Sequence, residues 1–146
     1  MNLLSQYCIM NSNIRYLLNE SRRFLNLAFE EFKRGLNEER DEVIRDDAEK
    51  SWNAIVQATA ALLLFKGFKE EEAKTYKQKR TALEDLGIRD ETIRKLGFRD
   101  RFMAKENTLH IKCFYDGEYR VEVIREEIEK TKQYIDDIEK LLKGTI

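Results

Sequence analysis

The sequence predicts an all-α fold, an antiparallel up-and-down bundle of four to five main helices plus one short helix, on three observations. Apolar residues recur at spacings of three and four along most of the 146-residue chain. There is no proline, and six glycines, Gly35, Gly67, Gly87, Gly97, Gly117 and Gly144, each follow a stretch with that period. Glycine accepts the left-handed conformation that closes many helices. The links between the periodic stretches are short, as such bundles require.

The first helix is expected over residues 12–34, with Ser12 as N-cap and Leu17, Ser21, Phe24, Ala28 and Phe32 on its apolar face. The second is expected to start after Asn37, with Glu38 and Glu39 as an acidic first turn, and to reach Lys66 as the longest helix. Ile44, Ala48, Trp52, Ile55, Thr59 and Leu62 form its main stripe, and Val56, Ala60, Leu63 and Leu64 widen it until little polar surface remains. Such a helix belongs at the centre of a bundle.

Residues 70–86 read as a strongly charged third element with a thin apolar face of Ala73, Tyr76, Ala82, Leu83 and Leu86. A short helix capped by Asp90 runs to Leu96. A fourth main helix spans residues 99–116 and carries Phe102, Met103, Leu109, Cys113 and Phe114. The step Asp116-Gly117 also suits a strand hairpin. The helical reading is preferred because Val121, Ile124, Ile128, Thr131, Ile135, Ile138 and Leu142 repeat at helical spacing directly after it. Residues 12–144 therefore make one bundle domain, and residues 1–11 read as an appended N-terminal extension.

Composition sets further bounds. Charged residues are 38% of the chain, but 27 basic and 28 acidic residues leave a net charge of -1, so no global signal for a polyanion exists. The apolar content of 42% excludes intrinsic disorder. The N-terminus lacks the basic and hydrophobic regions of a signal peptide. The longest apolar run, residues 58–65, is far shorter than the about 20 residues a membrane span needs. Cys8 and Cys113 match no disulfide framework, and a cytoplasmic protein with reduced thiols is expected.

No glycine-rich phosphate loop, Cys-x-x-Cys, HExxH or nucleophile elbow occurs, so neither a cofactor nor a metal is expected. Di-iron bundles need Glu-x-x-His twice, and the chain has one histidine. His110, Cys113 and Asp116 share one helix, a poor basis for a metal site. The segment that carries candidate chemistry is residues 105–117. Histidine is the residue type suited to proton transfer near neutrality, and Lys105 and Arg101 precede His110 on the same helix, where a cation could hold a phosphate while the imidazole moves a proton. The opposing reading is a lone histidine that hydrogen-bonds a neighbour. A second candidate is the run 74–80, KTYKQKR, whose Lys74, Lys77, Lys79 and Arg80 with interleaved Tyr76 could contact a nucleic-acid backbone. Its opposing reading is a solvated charged face.

Residues 48–64, AEKSWNAIVQATAALLL, continuing to Gly67, together with Leu109-His110 and Phe114-Tyr115-Asp116-Gly117, resemble the HEPN superfamily (higher eukaryotes and prokaryotes nucleotide-binding), and in particular its archaeal PaREP branch. The resemblance implies a four- to five-helix bundle that forms homodimers. In active members it implies metal-independent RNA cleavage by an Arg-polar-x4-6-His motif near the dimer interface. The histidine falls on His110, the polar residue on Glu106 and the arginine on Lys105. Lysine keeps the charge but lacks the bidentate fork of arginine, and Arg101 lies outside the spacing. The expectation is therefore a non-catalytic nucleotide-, RNA- or protein-binding module. A ribonuclease using His110 with Lys105 or Arg101 is the alternative.

Overall fold

The computed structural model describes residues 12–144, and among them the fold is an all-α bundle without strands. The expected extension, residues 1–11, and Cys8 lie outside the described residues. Helix α1 spans Ser12–Glu38 and α2 spans Asp41–Phe65, with a 3-10 turn at Glu70–Glu72 after them. Helix α3 is Tyr76–Arg89, α4 is Glu91–Leu96 and α5 is Phe98–Lys105. Helix α5 continues directly into a π-helix, Glu106–Tyr115, and α6 is Val121–Lys143. Among the described residues no helix is long and apolar enough to cross a membrane.

The helix boundaries depart from expectation where local hydrogen bonding outweighs periodicity. Helix α1 runs through Gly35 instead of stopping before it, and the turn is made by Glu39, a non-glycine residue with φ 52°. Gly35 is needed for close packing. A Cβ there would stand 3.0 Å from Ile44 Cγ1 and 3.1 Å from Val43 Cγ1, so glycine lets the start of α2 press onto α1. Helix α2 thus begins at Asp41, with Asp41 and Glu42 as its acidic first turn, and its 25 residues are fewer than the 27 of α1. Gly87 likewise lies within α3.

Helix α3 starts at Tyr76 because Thr75 and Gln78 form a reciprocal cap. The Gln78 N–H donates to Thr75 Oγ1 at 3.0 Å, and the Thr75 N–H donates to Gln78 Oε1 at 3.0 Å. The acidic triplet before it forms only the 3-10 turn. Asp90 caps α4 as expected, accepting from the Ile93 N–H at 3.2 Å.

Cross-helix pairings fix the directions. Ser21 meets Ala54 while Gly35 meets Ile44, so α1 and α2 are antiparallel. Trp52 meets Phe102, and Arg45 meets Phe114, so the α5–π helix opposes α2. Arg22 meets Asp136, and Arg125 lies over Phe32, so α6 opposes α1. These four rods alternate up and down. Helix α3 stands outside the alternation: Tyr76 meets Trp52 and Asp90 meets Lys66, which has α3 running with α2 after a returning link over residues 66–75.

Helix α2 is the interior rod. Trp52, Ala54, Ile55, Ala58, Ala61, Leu62 and Leu63 are all fully buried. Its alanines admit neighbouring helices closely. Its buried hydroxyls, Ser51 and Thr59, each find a partner on another helix. The Ser51 hydroxyl donates to Thr131 Oγ1 at 2.9 Å, and the α1 Ser21 hydroxyl donates to the Ala54 carbonyl at 2.7 Å. Thr59 spends its own proton on the Ile55 carbonyl, so the Tyr134 hydroxyl donates to Thr59 at 2.7 Å.

Asp47 differs. It is fully buried, and no donor faces either carboxylate oxygen. Burial and the adjacent Glu31 carboxyl push its pKa up to about 8, while Glu31 itself is held below its usual range by Lys50. A protonated Asp47 can donate to Glu31, which leaves its second oxygen buried without a donor. The unfolded chain ionises this aspartate above about pH 4, so Asp47 costs stability progressively as pH rises from there toward 8. Asp47→Asn is expected to stabilise by about 1–3 kcal/mol at pH 8 and by nothing resolvable near pH 4. Urea unfolding at the two pH values checks this, and an equal effect at both would mean that Asp47 is ionised in the fold.

Candidate functional site

His110 lies on the π-helix, where the backbone bonds from residue i to i+5 widen each turn. The Asp116 N–H donates to the Ile111 carbonyl at 3.0 Å in this pattern. The wider turn makes both the i+4 and the i+5 side chains neighbours of His110. Phe114 stacks on the imidazole at 6.3 Å with an interplanar angle of 13°, and Tyr115 meets it edge-on at 4.9 Å. The C-terminal end of the π-helix is held by Arg45 of α2, which donates to the Phe114 carbonyl at 2.7 Å and the Tyr115 carbonyl at 2.9 Å. Gly117, at φ 66°, ends the helix there, and a Cβ would come within 3.1 Å of the Arg45 guanidinium.

The other side of the imidazole faces α2 and α3. Trp52 stacks on it at 5.8 Å and Tyr76 meets it edge-on at 5.3 Å. His110 Nδ1 is 2.8 Å from Glu49 Oε2. A carboxylate accepts, so Nδ1 carries the proton and the ring is held in one tautomer. Burial raises the Glu49 pKa, with the hydrogen bond from His110 pulling the other way. Burial also raises that of Tyr76. The Trp52 indole N–H is buried without an acceptor at hydrogen-bonding geometry, although it draws the Tyr76 hydroxyl downward against the larger effect of burial. The result is an imidazole oriented by a carboxylate within four aromatic rings, of which Tyr115 is the exposed one at 65%.

The cations expected to serve His110 are engaged elsewhere. Lys105 is 3% exposed, and its Nζ lies 3.2 Å from Glu127 Oε2 on α6. Burial lowers its pKa, with Glu127 opposing. Arg101 pairs with Asp137 at 3.0 Å, donates to the Leu96 carbonyl, and lies over the rings of Phe98 and Tyr134. Neither is hydrogen-bonded or ion-paired to His110.

The basic run 74–80 divides. Lys74 and Lys77 are exposed. Arg80 makes a two-pronged pair with Glu106, 2.7 and 2.8 Å, which ties α3 to the start of the π-helix. Lys79 is 4% exposed and donates to the carbonyls of Ala73 and Lys74, so it is not part of the outer face. Tyr76, by contrast, joins the run to the His110 cluster. The sequence placed these two candidates on separate helices, and the structure makes them neighbours.

Glu49 and Tyr115 are the side chains of this cluster that sequence reasoning did not name as site residues. The spacing of Glu49 and Trp52, three residues apart on one helix, was a signal that both face the same neighbour. Among the described residues no group of three His, Cys, Asp or Glu side chains is placed to hold a metal. Cys113 is buried, with its thiol pushed up to about 12 by burial, and packs as an apolar residue. No protein-family model, curated protein or solved structure matches the chain.

The placement of Lys105 makes it an anchor between helices. Lys105→Ala leaves the half-buried Glu127 with only the exposed Lys130, 3.6 Å away, as counter-charge and is expected to destabilise by up to about 3 kcal/mol, whereas Lys105→Met with Glu127→Leu is expected to be near neutral. Urea unfolding of the two variants decides this, and an unperturbed Lys105→Ala protein would show that the pair does not hold α5 to α6.

Proposed function

We propose that this chain is a HEPN-like, non-catalytic binding module that acts as a homodimer in the cytoplasm and takes single-stranded RNA or a nucleotide on the aromatic face around His110. One observation carries the reading: Tyr76, from the middle of the basic run, packs on His110 at 5.3 Å. The stackable rings thereby adjoin the run that carries the exposed Lys74 and Lys77. An exposed aromatic such as Tyr115 contributes about 1–3 kcal/mol per stacked base, and flanking lysines add a salt-dependent hold on the backbone. The commitment of Lys105 to Glu127 and of Arg101 to Asp137 favours binding over cleavage, because a phosphorane needs a free cation.

The alternative, a metal-independent endoribonuclease, is favoured by the Glu49-oriented imidazole. In that reading a 2′-hydroxyl attacks the adjacent phosphate with His110 as general acid or base. Lys105 or Arg101 would then have to leave its carboxylate to steady the phosphate.

Anisotropy titration with a fluorescein-labelled single-stranded RNA, followed by a denaturing gel, separates the two. Tyr115→Ala is expected to weaken binding about 5- to 150-fold. Lys74→Ala with Lys77→Ala is expected to lower the salt dependence by a slope of about 1.4. The RNA is expected to remain intact. Absence of binding, or an unchanged Tyr115→Ala protein, would overturn the proposal. Cleavage that disappears in His110→Ala would establish the nuclease instead.

A further inference from the structure

Lys79 has the environment of a binding cation that the His110 cluster does not use. It is 4% exposed, on the inner side of α3, and its Nζ donates to two backbone carbonyls, Ala73 at 2.6 Å and Lys74 at 3.2 Å. An ammonium has three donors, so one hydrogen is left over. Among the described residues no carboxylate compensates the charge: burial alone shifts its pKa, and downward. Lys105, the other buried lysine, has Glu127 for that purpose. A buried cation without a counter-charge is costly to the fold unless something else supplies the anion.

The surroundings show what that could be. Lys79 lines a groove of about 370 Å³ between the start of α1, the second half of α2 and the link into α3. Leu17, Val56, Ala60 and Leu64 make its apolar wall. Glu70, the one acidic residue along it, is exposed and sends no appreciable charge interaction to Lys79. The volume lies within the range of small-molecule sites, which combine apolar walls with a few placed polar groups.

We propose that this groove binds a small amphiphilic monocarboxylate, the aliphatic body against Leu17, Val56, Ala60 and Leu64 and the carboxylate on the remaining N–H of Lys79. A carboxylate suits a single ammonium donor, whereas a larger polyanion would need the several donors of an arginine fork. None of the rings around His110 lines the groove, which shares only Lys74 with the proposed RNA face, so the loss of RNA binding in Tyr115→Ala and the loss of this site are separable results.

Calorimetric titration of the full chain with octanoate and with octanol tests the proposal, since the two probes share a tail and differ in charge. Octanoate is expected to bind at least about tenfold more tightly, a difference of about 1.4 kcal/mol. Lys79→Met is expected to abolish that preference while leaving octanol binding in place. Ala60→Phe, which fills the groove without touching the bonds of Lys79, is expected to weaken both probes. No binding of octanoate, equal affinity for the two probes, or a preference that survives Lys79→Met would overturn the proposal. Should Lys79→Met fail to fold, the decision rests on the wild-type preference and on Ala60→Phe, and a preference unaffected by filling the groove would overturn it.

Discussion

Enclosing α2 on nearly every side imposes a condition that the other helices meet one by one for all but Asp47 and the Trp52 N–H. Each polar side chain that α2 carries into the interior must find a specific partner, because an unpaired buried group costs about 1–3 kcal/mol. Ser51 takes Thr131, Thr59 takes Tyr134, and the Ala54 carbonyl takes Ser21. These bonds set the register of α1 and α6 along α2, which apolar packing alone would leave free to slide. Glu49 imposes the same condition on the π-helix, and His110 answers it. The candidate site is therefore an extension of the interior rather than a feature added to the surface.

That origin explains the form of the site. An imidazole that satisfies a half-buried glutamate must come close to α2, and the Trp52 indole beside Glu49 then becomes its stacking partner. The widened turns of Glu106–Tyr115 let Phe114 and Tyr115 both reach the ring, and Arg45 secures the carbonyls at the end of those turns. Tyr76 reaches it from the first turn of α3, and Arg80 pins the same helix to Glu106. Three helices thus converge on one ring, and only Tyr115 among its aromatic neighbours is strongly exposed.

The architecture was legible because helical periodicity reports which face is buried, and here the longest apolar stripe did belong to the central helix. The boundaries were harder. Gly35 reads as a helix end by its residue type, yet its role is close contact with Val43 and Ile44, and a distant contact leaves no local mark. The cap made by Thr75 and Gln78 was present in the sequence as a Thr-x-x-Gln box, but it lay inside a run that its charge made conspicuous for another reason. The π-helical stretch has no residue pattern of its own, so the joint approach of Phe114 and Tyr115 to His110 could not be read from the sequence. Glu49 could be seen on the face of Trp52, but pairing it with His110, 61 residues away, required the fold. The roles of Lys105 and Lys79 were illegible for the same reason: burial of a lysine is decided by the helices packed around it.

The near balance of charge in the chain takes on a different meaning once these partners are known. Many of its cations are internal ties: Arg22 to Asp136 and Glu139, Arg80 to Glu106, Arg101 to Asp137 and Lys105 to Glu127. Each joins two helices, and a phosphate competing for any of them would loosen the bundle. Cations that hold a fold are poor instruments for gripping a polyanion. If the His110 face takes RNA, its affinity must come chiefly from stacking on rings that the interior already orients, with the exposed Lys74 and Lys77 adding a smaller, salt-sensitive part. Lys79 is the exception among the buried cations, since it has carbonyl partners but no acid, and that asymmetry sets its groove apart from the interhelical ties.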